Sequence, residues 1–198
     1  MPGSENSCAS SWSSYGACSP VQPRSIRLLN GRLYNGLKKA GHPKGARLDH
    51  SGLVTLLARG RPLASKRYYI GSLRNHDNSE KSAQLLASQQ KFLGGLENEG
   101  FTVKRGRIVY DHKIREKGVD VKIAVDLIVG AVDDLYDIAI IVSSDTDLIP
   151  AIQYVQFKGK KVEYVGFSQH PSLGMAKHGN LSVLLLPEDL QKLTSVGA

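Results

Sequence analysis

The chain has 198 residues, 26 Lys and Arg against 18 Asp and Glu, a formal net charge of +8 and 41% hydrophobic residues. That length suits one domain or slightly more with a real core, and the composition excludes a disordered or fibrous chain. No apolar run approaches the roughly 18 residues that span a bilayer, which excludes a transmembrane protein.

The charge is unevenly spread. Residues 24–74 hold twelve Lys or Arg against one acid, Asp49, whereas residues 75–198 hold more acids than bases. Such asymmetry points to an anionic partner, nucleic acid being the commonest. A solvated basic face with no ligand is the plainer alternative.

In chain order, residues 1–23 are rich in Ser, Gly, Pro and Ala and show no period, which predicts a disordered tail before a single domain over 24–198. This tail lacks the basic and apolar regions of a secretory signal. Cys8 and Cys18 have no nearby His or further Cys, so they make a poor zinc site. A cytoplasmic location with reduced thiols is expected.

A first strand is expected at 25–29 and a helix at 31–40, stopped by Gly41. A helix follows at 48–57, a strand at 65–73, a long helix at 80–99 and a strand at 101–109. Residues 111–118 read as a charged loop. The span 119–135 reads as an almost wholly apolar helix. The continuous apolar run 136–142 predicts a strand buried on both faces of a parallel sheet. A helix at 147–158, strands at 161–167 and 181–186, and a helix at 187–193 complete the chain. Strands alternating with helices predict an α/β fold with a mainly parallel sheet.

The strongest chemical signal is acidic. From Asp126 to Asp147 there are six Asp and no Lys or Arg. Asp126 lies in the run 121–132, otherwise nearly free of charge, where a lone carboxylate is costly unless paired, hydrogen-bonded or bound to a metal. Asp145 and Asp147 follow the apolar strand, and ligands of open α/β sheets bind beyond the carboxyl ends of strands. Clustered carboxylates suit Mg2+ or Mn2+. Each has a plainer use: Asp147 or Asp120 as a helix cap, Asp145 as a turn former. Asp133, Asp134 and Asp137 read as solvated turn residues. The six histidines are scattered and receive no role.

Residues 117–126 (KGVDVKIAVD) and 136–148 (YDIAIIVSSDTDL) carry a specific resemblance. The chain resembles the NYN domain, and within it the LabA-like group of the PIN-like nuclease superfamily. That group shows K-G-V-D, an Asp six residues on, then a strand ending S-G-D-S-D-F. The pattern falls on Asp120, Asp126, Asp145 and Asp147, with Ser144, Thr146 and Leu148 as mild changes. The resemblance extends from about residue 25 to 193.

It implies a three-layer α/β/α PIN-like fold and a Mg2+- or Mn2+-dependent ribonuclease acting on single-stranded RNA, with a homo-oligomer left open. It further implies Asp126, Asp145 and Asp147 as metal ligands. Asp120 would ligate through water or orient the nucleophile. Arg32, Lys38, Arg105, Lys117 and Lys122 are then candidates for phosphate contact. Tyr34, Tyr68 and Tyr69 are candidates for base stacking, with at least one of the mid-strand pair expected in the core. One departure stands out. The family's first strand ends I-D-G-x-N-L-Y, and here Leu29 or Asn30 falls where its Asp belongs. A non-catalytic RNA-binding module is therefore the competing reading. A phosphotransferase using the D-T-D as a nucleophile is a third, disfavoured because that motif normally follows an early strand.

Overall fold

The structure, a computed structural model, describes residues 24–30, 47–74, 79–110 and 114–195. The expected tail at 1–23 and the expected helix at 31–40 lie outside these residues.

Seven strands form the main sheet: β1 (Ser25–Asn30), β3 (Leu63–Ser72), β4 (Thr102–Tyr110), β5 (Ile114–Lys117), β6 (Ile138–Val142), β7 (Lys161–Phe167) and β8 (Leu181–Leu185). Their order is β5-β4-β3-β1-β6-β7-β8. Every pairing is parallel except β4 with β5. A small second sheet pairs β2 (Arg47–Leu48) with β9 (Thr194–Ser195). The helices are α1 (His50–Ala58), α2 (Glu80–Asn98), α3 (Val119–Val132), α4 (Ile149–Phe157), α5 (Leu173–His178) and α6 (Pro187–Lys192). A 3-10 turn, Thr146–Leu148, leads into α4.

The period of two along each strand sends alternate side chains to opposite layers. Ile138, Ile140 and Val142 of β6 join a core with Leu53 and Leu57 of α1, Leu93 and Leu96 of α2, and Leu190 of α6. Ala139 and Ile141 join the other core, with Ile123 and Leu127 of α3, Ile152 of α4 and Met175 of α5. The fold is therefore the expected three-layer α/β/α sandwich. All five residues of β6 are buried, as the unbroken apolar run predicts. Each fully buried Ile or Val there contributes about 1.5–3 kcal/mol.

Local chemistry sets the helix ends. Asp49 caps α1, its side chain accepting from the Gly52 N–H at 2.8 Å. Ser79 caps α2 in the same way, accepting from Ser82 N–H at 3.1 Å. At the entry to α3, Gly118 takes φ +79°, a left-handed conformation that glycine adopts without a Cβ penalty.

Three expectations need correction. Residues 114–117 are a strand, not loop; they turn back antiparallel on β4 from Arg107 onward. The first turn of the expected helix at 147–158 is a 3-10 turn. Tyr68 and Tyr69 are both fully buried, on opposite faces of the sheet, so neither is exposed to stack a base. No helix among the described residues is long and apolar enough to cross a membrane.

Candidate functional site

The strand order fixes where a ligand crevice falls. From β1 the chain adds β3 and β4 on one side, then crosses to add β6, β7 and β8 on the other. The reversal lies between β1 and β6. In open α/β sheets the binding crevice lies outside the carboxyl ends of the strands at this switch point. Leu29 is level with Val142 across β1 and β6. Asp145 and Asp147 follow Val142 within five residues. The 3-10 turn that carries Asp147 packs against α3.

Within this turn Asp145 acts as the cap. Its side chain accepts from the Asp147 N–H at 3.0 Å, and its own N–H donates to Ser143 Oγ at 3.2 Å. Asp147 is exposed and Asp145 half-buried. Asp120 lies in the first turn of α3 and is half-buried. An acid there is favoured by the helix dipole.

Asp126 has different company. Tyr69 Oη donates to its Oδ2 at 2.7 Å. The same oxygen lies 3.2 Å from Arg67 Nη1 and 3.7 Å from Lys104 Nζ. Burial, reinforced by the Asp126 carboxylate, pushes the Tyr69 phenol well above its ordinary value, so it remains a proton donor. Asp126 lies six helical positions beyond Asp120. That is about 9 Å along the axis and about 240° around it, so the two point in different directions.

The other acids of the base-free stretch belong elsewhere. Asp134 and Asp137 sit at the amino end of the sheet. Arg24 donates its backbone N–H to Asp137 at 2.7 Å and its guanidinium to Asp134. Lys160 pairs with both. These contacts hold both carboxyl groups below the usual range; for Asp134 the first cause is the Lys160 hydrogen bond. Desolvation opposes the shift at Asp137, and the Arg24 contacts outweigh it. Asp133 and Asp134 are exposed turn residues, and Asp134 and Asp137 also tie the starts of β1, β6 and β7 together.

Of the expected phosphate contacts, Arg32 and Lys38 lie outside the described residues. Arg105 pairs with Glu97 at 3.7 Å, both exposed. Lys122 Nζ donates to the Arg105 carbonyl at 2.6 Å. Lys117 is exposed at the end of β5. The sequence reading gave Arg67 no functional role. Its signal was present, since an Arg in mid-strand and a lone Asp in an apolar helix each require a partner.

Among the described residues, no three Asp, Glu, His or Cys side chains come together as a metal cage. The donors at the switch point are nevertheless hard oxygens of the kind Mg2+ prefers. Mg2+ is commonly held by one or two carboxylates plus substrate phosphates rather than by an all-protein cage. Asp145 and Asp147 fit that mode. Asp126 fits it poorly, because two cations already neutralise it.

A three-layer α/β/α domain with carboxylates beyond the switch point of its parallel sheet belongs to the class of open-sheet domains that bind ligands in that crevice. The NYN domain family profile matches residues 36–178, more than half of the chain, and the chain belongs to that family, within the PIN-like nuclease superfamily. No curated protein matches. A crystal structure of a protein of unknown function from Vibrio parahaemolyticus is similar, at TM-score 0.62 and 20% identity over 84% of this chain and 95% of that one. That likeness supports the fold alone.

Proposed function

We propose that this chain is an RNA-binding NYN domain that cleaves the RNA phosphodiester backbone with Mg2+ or Mn2+. The observation that carries the reading is the placement of Asp145 and Asp147 beyond β6 at the switch point, with α3 packed on their turn. Asp145 and Asp147 would hold the cation together with a phosphate of the RNA. The chemistry such a cation supplies is Lewis-acid polarisation of the scissile phosphate. Asp120, in the first turn of α3, would orient the attacking water. Exposed Lys117 and Lys122 would hold flanking phosphates, a contact that falls with salt.

Cleavage of single-stranded RNA in Mn2+ tests this. Activity should vanish in EDTA and fall at least a hundredfold in Asp145→Asn. RNA that is bound but left intact in both metals would overturn the catalytic reading. A specific observation favours that outcome as the second reading: the first strand ends in Leu29 and Asn30, not Asp. The domain would then bind RNA without cutting it.

A further inference from the structure

We propose that Arg67 and Lys104, held in place by Asp126, form a phosphate-binding subsite for RNA on the α3 side of the sheet. The inference rests on the RNA-binding reading above. It gives Asp126 a positioning role instead of a metal-ligating one.

The sheet register builds the subsite. Tyr69 is level with Lys104 on the neighbouring strand, so both side chains stand on one face. Arg67, two residues before Tyr69, shares that face. Helix α3 covers it and delivers Asp126 onto all three. Two cations against one carboxylate leave one unit of positive charge. Beyond the register of Arg107 with Lys117, β5 no longer pairs with β4, so Lys104 lies on a stretch of β4 edge that no described strand covers.

Accessibility is graded. The side chains of Arg67, Asp126 and Lys104 are 17%, 21% and 38% exposed. Lys104 is therefore the most open of the three to an incoming phosphate oxygen, and Arg67 the least. Partial burial also strengthens the contact, since charges pair more tightly away from bulk water. A guanidinium carries five N–H donors. Asp126 contacts that fork at Nη1, which leaves further donors for a second anion. A divalent cation at Asp126 would have to approach two fixed positive charges, which is unfavourable.

The test uses the full chain and a short single-stranded RNA in EDTA, with affinity measured against KCl concentration. Each phosphate contact to a single strand contributes about 0.7 to the slope of log K against log salt. Lys104→Gln should lower that slope by about 0.7, and Lys104→Arg should restore it. An unchanged slope in Lys104→Gln overturns the proposal, even if overall affinity falls. Mn2+ affinity gives the second arm. It should stay within about twofold in Asp126→Asn but fall at least tenfold in Asp145→Asn. Equal losses in both variants also overturn it. If Asp126→Asn fails to fold, the Lys104 pair alone decides. Wild-type protein that binds no RNA in EDTA at low salt contradicts the RNA-binding reading itself, and the subsite falls with it.

Discussion

His50 shows how one buried residue sets a pH dependence. It is 3% exposed and packs edge-on to Tyr68 and Phe101, with Phe92 tilted beside it. Burial lowers its pKa below the ordinary value, and the nearby Glu99 only partly opposes this. A folded value below the unfolded one means stability is fully present above about pH 6.5 and lost as pH falls through the folded value. Thermal unfolding at pH 7.5 and 5.5 should therefore show a smaller drop for His50→Phe than for wild type. An equal drop would contradict the assignment. Asp126 marks the limit of what was legible at this scale. A carboxylate in an apolar helix demands a partner, and the sequence reads that demand correctly. Which partner answers depends on β3 and β4 lying in register beneath α3. Local spacing cannot report a contact between residues 67, 104 and 126, so it leaves ion pair, hydrogen bond and metal open alike.

Among elements, those with strong periodicity or unbroken apolarity were legible. The strand at Lys161–Phe167 falls where it was expected, and β6 differs by two residues at its start. β5 was hidden because its residues, IREK, are mostly charged and have no apolar alternation. Charge is what an exposed edge strand carries to resist pairing with another chain. The short helix α5 was also missed, being under two turns long. The loop between α1 and β3 is pinned to β7 by a different device. Arg61 Nη2 donates to Glu163 Oε2 at 2.8 Å, and to the Leu57 carbonyl at 3.2 Å. The two side chains are only 16% and 10% exposed. Removing one partner strands the other charge in a half-dry site. Glu163→Ala should cost about 2–3 kcal/mol in urea unfolding, and a loss under 0.5 kcal/mol would show the pair to be idle.

At the scale of the whole molecule, the net charge of +8 divides into functional regions only once the sheet is seen. The acidic stretch from Asp126 to Asp147 is not one patch. Asp134 and Asp137 bind Arg24 and Lys160 at the amino end of the sheet, Asp126 binds Arg67 and Lys104 beneath α3, and Asp145 and Asp147 lie past the carboxyl end. One strand, β6, separates the first group from the last. Only the last lies where the strand order places a ligand crevice. On the proposed function, this turn takes a divalent cation together with an RNA phosphate. Mn2+ affinity, measured with and without a short single-stranded RNA whose linkages resist hydrolysis, tests it most directly. Affinity should be weak for the protein alone, at least tenfold tighter with RNA, and lose that gain in Asp145→Asn. An affinity that RNA leaves unchanged, and that Asp145→Asn leaves unchanged, would contradict it.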